Sequence, residues 1–358
     1  MSYQQVILSL GARFLSAGFA GNPAPTVVRR TNRYDLSGIV NHSKDALCPY
    51  TDQMLWDYSS TYCDLTQLEF VLEKIIYDIL TQQLLVDPKR CKLTFIEPLF
   101  LPVPYKDIIT RVCLFHLHCV SLRFVPRAVM TCIGSGSRCG LVVDLGWTQS
   151  TVTPVYDLRI LYRDARSSIR SGSLIHEEVY LSFKKQGNIP LHFEFIERFI
   201  METCYCRTKR VVEGDDERVF SFDGIEIPNR FRYEAIEKCL FGELLEIDDD
   251  NRTVVNLLDT IIDKLPLDLR GELPSRILFT GVYSEIPGVK AAVLDYLSDS
   301  RYPIKALLTL GSWKGASLYL STATTGSHAK NRPAEIHRDK YLNGDELMVD
   351  WTDSLYQM

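Results

Sequence analysis

No cysteine in this chain has a second cysteine three residues away, although the 358 residues contain ten of them. That excludes a zinc ribbon and a thioredoxin-like redox centre, and scattered thiols fit a reducing compartment in which disulfides do not persist. Apolar runs are short, and none approaches the roughly 20 residues of a membrane-spanning helix, so no membrane span is expected. The N-terminus lacks a basic region followed by a long apolar stretch; no secretory signal is expected and the protein reads as intracellular. A large excess of one sign of charge is missing as well. With a formal net charge of -5 and a pI near 5.9, the chain offers no global attraction to a polyanion, and nucleic acid is not an expected partner.

Catalytic signatures are also scarce. The seven histidines show no spacing that pairs one with a nucleophilic Ser or Cys, and no G-x-S-x-G elbow occurs. Gly134-Ser135-Gly136-Ser137 lacks the Gly-Lys-Ser/Thr ending of a P-loop. The group His116-Leu117-His118-Cys119 offers ligand types, but no second cluster at finger spacing follows it, and no metal site is expected. The acidic run from Glu246 to Asp250 has neither EF-hand spacing nor the required Gly, so it reads as a solvated loop.

What is present describes a globular protein of more than one core. Hydrophobic residues make up 46% and charged residues 24%, and 358 residues exceed what one core supports, so two domains are expected. Gln5 to Leu10 reads as a buried strand, and Leu68, Val71, Leu72, Ile75, Ile76, Ile79 and Leu80 recur at helical spacing. Further strands are expected at Lys92 to Ile96, Gly140 to Asp144 and Ile277 to Thr280, with a helix from Tyr105 to Leu117. This alternation is the pattern of an α/β protein with buried sheets. Ile7-Leu8-Ser9-Leu10-Gly11 and Val142-Val143-Asp144-Leu145-Gly146 share strand, polar residue, apolar residue and Gly, which suggests two related lobes. Gly187 to Pro190 and Val212 to Arg230 read as loops, and Thr324 to Met358 as a polar, acidic tail with aromatic residues at Tyr341, Trp351 and Tyr356.

Several stretches together resemble the actin family along most of the chain. They are Ser16 to Pro25, Arg127-Ala128-Val129-Met130 through Asp144-Leu145-Gly146 to Tyr156, Asp268-Leu269-Arg270 through Gly281 to Ile286-Pro287-Gly288, Trp313 to Ser317, and Ile336-His337-Arg338. The resemblance implies an α/β, actin-like two-lobed fold of the actin, Hsp70 and sugar-kinase superfamily, with four subdomains and a reduced second subdomain. The first lobe is expected at 1–153, with the second subdomain as an excursion at about 31–62. The second lobe follows at 154–323, and a C-terminal return segment with the acidic tail at 324–358. On this alignment Gly134 to Ser137 falls on a plain turn.

The same resemblance identifies positions where the family's chemistry has changed. Ser9 stands where actins carry an Asp acting through metal-bound water, and Ser16 replaces the phosphate-facing Lys. Arg127 replaces the Gln that orients water, and a guanidinium cannot accept a proton from it; Thr151 replaces the assisting His. No catalytic residue is therefore expected. Gly11, Asp144, Gly146, Gly281 and Gly315 mark the remaining nucleotide cleft, with Val282 and Ala316 where partner glycines would be. Asp144 reads either as a magnesium-associated acid or as a residue closing the strand-to-turn junction. Glu197, Ile200 and Met201 would stand near the base. The implied cofactor is none, or ATP or ADP bound structurally without hydrolysis.

Leu84-Leu85-Val86-Asp87-Pro88 and Lys264 to Arg270 are most similar to the actin-related subunit at the pointed end of dynactin. That likeness implies actin-like filament subunits and other pointed-end proteins as partners, an indirect link to dynein, and a microtubule-associated cytoplasmic location. The excursion at 31–62 is shorter than in actins, which suits a filament cap. Two other readings stand beside it: a structural subunit of a nuclear chromatin-remodelling complex, and a weak ATPase of the superfamily. Trp351 and Tyr356 are expected to offer the tail a docking role on a neighbouring subunit.

Overall fold

A computed structural model of the chain describes residues 3–30, 65–208, 218–242, 249–325, 335–344 and 351. The expected excursion at 31–62 lies outside these residues, as do most of the acidic run at 246–250 and Tyr356 of the tail. By packing, the chain divides into two units, 1–138 with 309–358, and 139–308.

In the first unit, β1 (Gln4–Leu10), β2 (Phe14–Phe19) and β3 (Val27–Arg30) form an antiparallel meander, followed by helix α1 (Leu65–Asp78). Strand β4 (Cys91–Glu97), helix α2 (Val103–Arg111), strand β5 (Ser121–Pro126) and helix α3 (Arg127–Gly134) complete the pattern. β1 lies between its hairpin partner β2 and the parallel strand β4, giving the order β5-β4-β1-β2-β3. With sheet neighbours on both edges and packing on both faces, Val6, Ile7 and Leu8 are at most 1% exposed. A continuous apolar run is what such a strand requires. The spacing on α1 is that of a buried helix stripe, and Leu68, Leu72, Ile75 and Ile76 are all in the core. Both α1 and α2 close with a π-turn, at Ile79–Gln83 and Val112–His116.

The second unit repeats this plan. Strands β6 (Gly140–Leu145), β7 (Ser150–Tyr156), β8 (Arg159–Ile160) and β9 (Arg166–Ser168) come first, with β8 and β9 both paired to β7. Helices α4 (Gly172–Gln186) and α5 (Phe193–Thr203) precede a hairpin of β10 (Val219–Phe222) and β11 (Ile225–Pro228). After α6 (Glu234–Phe241) and α7 (Val254–Lys264), β12 (Ile277–Thr280) runs parallel to β6, and α8 (Val289–Tyr296) follows. Beyond β12 the chain returns parallel to it, where Ile277 N donates to Lys305 O and Leu307 N to Ile277 O, both at 2.8 Å. Each unit thus has a central strand with an antiparallel hairpin partner on one side and parallel neighbours on the other. The duplication legible in the two Gly-terminated strands is real at the level of topology.

Two expectations are corrected here. The stretch 212–230 is not all loop, because Asp223 (φ 52) and Gly224 (φ 79) form a two-residue turn of the left-handed kind that joins β10 to β11. Phe222 from that hairpin packs on Phe195 and Phe199 of α5, with ring centroids 5.4 and 5.6 Å apart. The unit boundaries fall at 138/139 and 308/309 rather than 153/154 and 323/324. A cut at 153 would divide β7, and α9 (Ser312–Thr325) packs on α3 of the first unit.

The return segment is anchored by charge. β13 (Ile336–His337) adds antiparallel to β5 as a sixth strand and leads into α10 (Arg338–Leu342). Just before it, the Glu335 carboxylate accepts from Lys92 Nζ at 2.9 Å, from Arg123 Nη2 at 3.0 Å and from Ser121 Oγ. Arg338 Nε donates to Leu114 O at 3.1 Å, which explains the Ile-His-Arg motif as an edge strand followed by an anchor. Trp351 does not project for docking: it is 4% exposed and packs edge-on against Tyr319 of α9, centroids 5.5 Å apart.

Burial by itself would raise the Glu335 carboxyl, but the hydrogen bonds from Lys92 and Ser121 and the charge of Arg123 outweigh it and hold the group at about 2, against an ordinary 4.5. A depressed folded-state pKa contributes stability that is present above the unfolded value and lost as pH falls through the folded one. Acidification from pH 4.5 toward 2 should therefore cost on the order of 3 kcal/mol from this group. Urea unfolding across that range checks it: Glu335→Gln should flatten the pH dependence, and an unchanged slope would contradict the assignment.

Candidate functional site

The expected site positions fall on equivalent places in the two units. In the first, β1 and β2 join through a tight turn in which Gly11 N donates to Phe14 O at 2.8 Å, and Ser9 lies opposite Ser16 in register. In the second, Gly146 N donates to Gln149 O at 3.2 Å, and Asp144 lies opposite Thr151. Each polar pair sits two residues before and five residues after its glycine, so Ser9 corresponds to Asp144 and Ser16 to Thr151. A Cβ would lie 2.7 Å from Phe14 O at Gly11 and 2.9 Å from Gln149 O at Gly146, which explains glycine at both turns without recourse to a ligand.

Asp144, Gly146 and Gly281 come together in the second unit. Thr280 pairs with Asp144, and the next residue, Gly281, turns away from the sheet at φ 87. A Cβ there would stand 2.6 Å from Asp144 Oδ1 and collide with the Leu145 carbonyl, so only glycine passes. The tip of the β6–β7 hairpin is also fastened to the start of α4. Gly172 N donates to Gly146 O at 3.0 Å, Ser173 N to Trp147 O at 2.9 Å, and Ser171 Oγ to Trp147 O at 2.7 Å. Helix N-terminal amides are natural phosphate donors; the Gly172 and Ser173 amides bind carbonyls of the hairpin instead.

Trp147 and Tyr283, which sequence reasoning passed over, define this corner. Trp147 is 5% exposed and lies against His176, Phe193 and Tyr283, with centroids 5.5, 5.5 and 6.1 Å away. His176 stacks on Phe193 at 4.3 Å. The available signal was an aromatic residue directly after a hairpin glycine, where turns favour small polar side chains.

Other expected positions have structural assignments. Gly315 lies where α9 crosses α3, and a Cβ there would overlap the Met130 carbonyl oxygen; one at Gly134 would stand 2.7 Å from Gly311 O. The crossing is pinned by Thr309 Oγ1, which donates to Thr131 O at 2.8 Å. Its glycine is accounted for by backbone approach between helices rather than by approach to a nucleotide. Arg127 is the first residue of α3, behind Pro126. Glu197 and Ile200 on α5 are 0% exposed and present no surface to a base, which corrects their expected role; Met201 is half-buried.

Among the described residues, no group of three or more His, Cys, Asp or Glu side chains is placed to hold a metal, and no helix is long and apolar enough to cross a membrane. His116 Nε2 instead lies 2.9 Å from Glu69, and its Nδ1 3.4 Å from Glu73. All eight described cysteines are buried. Burial pushes the thiols of Cys113 and Cys204 up to about 12, which makes them poor nucleophiles. As a donor set for Mg·ATP the loops offer the Asp144 carboxylate alone, opposite a threonine, with serines at the equivalent places of the first unit.

Residues 1–210 match the protein-family profile described as Actin. Known proteins similar to the chain include Actin-like protein ARP10 of Saccharomyces cerevisiae, 22% identical over 270 residues, covering 75% of this chain and 76% of that protein. Centractin of the same yeast is 24% identical over 314 residues, 80% of each. Actin-related protein 2 of Acanthamoeba castellanii is 26% identical over 228 residues, 58% of this chain and 56% of its own.

The two explanations of Gly315 separate experimentally. If the glycine serves the helix crossing, Gly315→Ala overpacks it and should lower stability by about 1 to 3 kcal/mol, equally with and without ATP. Chemical denaturation in both conditions checks this; an effect seen only with nucleotide present would return Gly315 to the ligand.

Proposed function

This chain belongs to the actin family, and from that premise we propose that it is a non-catalytic structural subunit, which caps the pointed end of an actin-like filament such as that of dynactin and so supports dynein-driven transport. The observation that carries the non-catalytic part is the register Ser9 to Ser16 and Asp144 to Thr151. The loop geometry of both hairpins is kept while three of the four facing positions carry uncharged hydroxyls. Hydrolysis of a nucleoside triphosphate depends on positioning and on charge near the transferred phosphoryl group. The guanidinium of Arg127 supplies no acceptor to orient water, and the hydroxyls supply no second acid. Any ATP or ADP is then held as a structural ligand, by groups other than the Gly11 and Gly146 amides, which donate to Phe14 O and Gln149 O within their own turns.

The capping part rests on residues that resemble the pointed-end subunit of dynactin, Leu84 to Pro88 and Lys264 to Arg270. It rests also on the short excursion at 31–62, where actins carry the loop that enters the next subunit. A head-to-tail interface propagates unless one member lacks the complementary surface. A subunit with the receiving surface and without the inserting loop joins at one end and stops growth there. Its partners are then actin-like filament subunits and the other pointed-end proteins, in the microtubule-associated cytoplasm.

Purified protein with Mg·ATP should release phosphate at the rate of the protein-free control, and Asp144→Ala should leave that rate unchanged. Release above the control that Asp144→Ala abolishes would overturn the non-catalytic reading. Electron microscopy of labelled protein with the actin-like filament should place it at a single end, whereas label along the filament would refute capping.

A further inference from the structure

Helices α1 and α2 end by the same device. Leu84 N donates to Ile79 O at 2.9 Å and Val86 N to Leu80 O at 2.8 Å; Leu117 N donates to Val112 O and Cys119 N to Cys113 O, both at 2.9 Å. The residue between each pair of amides is left-handed, Leu85 at φ 54 and His118 at φ 56. This is the place where helices usually put glycine, because a side chain strains the left-handed backbone. His118 has a use within the fold, since its Nδ1 lies 3.1 Å from Arg338 Nη2. Leu85 is 81% exposed, so its side chain returns almost nothing to the core for the strain it imposes.

Leu85 and His118 both line one open cleft of about 640 Å³ in the first unit, together with Glu73, Tyr77, Asp87 and Lys89. Its size suits a ligand. Around it stand large apolar side chains that are open to solvent, Leu85 among them. Tyr77 is 52% exposed, and Phe115, also 53% exposed, lies beside the cleft-lining His116 with ring centroids 5.3 Å apart. Concentrated large apolar side chains around a cleft mark a protein contact. The charged lining is two carboxylates, Glu73 and Asp87, against the one ammonium of Lys89. His116 is engaged by Glu69 and Glu73.

We propose that this cleft docks a segment of another protein that carries a bulky apolar side chain beside a lysine or arginine, with Leu85 as its contact at the rim. The apolar side chain enters between Tyr77 and Leu85, and the basic one meets Glu73 and Asp87. The proposal is independent of nucleotide chemistry and of filament capping.

A photo-crosslinking amino acid, p-benzoylphenylalanine, placed at Tyr77 of the full chain in its native complex tests this directly. A crosslink to one segment of a different protein is expected, with a Lys or Arg within a few residues of a large apolar side chain. Leu85→Gly should reduce that crosslink at least tenfold while leaving the melting temperature the same or higher, because glycine tolerates the left-handed backbone. The same probe at Leu267, which is 82% exposed in the second unit, serves as the background. The proposal fails if the Tyr77 yield does not exceed that background, or if Leu85→Gly leaves it unchanged or lowers the melting temperature. It fails equally if the adduct is a second copy of this chain, a lipid or a nucleic acid, or a protein segment without a basic residue.

Discussion

The central strand of each unit must pass between a hairpin partner and a parallel neighbour, and it can do so only if the chain reverses within a few residues at its end. Gly11 and Gly146 make that reversal possible, because the following carbonyls of Phe14 and Gln149 approach to where a Cβ would stand. From this constraint follows the placement of the other parts. Once the hairpins are formed, β4 and β12 occupy the remaining edges of the central strands. Gly281 is a second instance of the same physics. It leaves the sheet beside Asp144 and the Leu145 carbonyl, in a backbone conformation that side chains resist.

These glycines have a mechanical basis in the fold of this chain. A turn that needs glycine for clearance retains that need whether or not a phosphate is bound. Ser9 and Ser16 face each other across β1 and β2, and their small hydroxyls are accommodated by the sheet. In the second unit the hairpin has supports of its own. The α4 amides hold its carbonyls, and Trp147 anchors it among His176, Phe193 and Tyr283. A loop braced in this way does not depend on a ligand for its shape.

The C-terminal segment illustrates a different balance. Ile336 and His337 make only a short edge strand, too small to hold a chain end by burial. The ion cluster around Glu335 and the Arg338 contact to Leu114 supply the attachment, and Trp351 closes it against Tyr319. Aromatic residues in a polar tail suggested a surface for a neighbour; the structure uses one of them on the chain itself. Exposed apolar side chains lie elsewhere, Leu85 at its left-handed corner among them.

Local order along the chain determined the architecture: a fully apolar strand such as Val6 to Leu8, a helix stripe such as Leu68 to Ile76, and a Gly-terminated strand repeated at Gly11 and Gly146. Each depends on residues near one another in sequence, and burial follows from periodicity alone. The hairpin at Asp223-Gly224 was legible by the same rule and was passed over because its flanking strands are short. Three things could be decided only in tertiary structure. Gly315 sits at a helix crossing against Met130, which is distant in sequence; Glu197 and Ile200 are closed by packing that no spacing encodes; and the partners of Glu335 come from strands more than 200 residues away. Periodicity reports which face a residue occupies, whereas which other face it meets depends on long-range packing that a single sequence does not display.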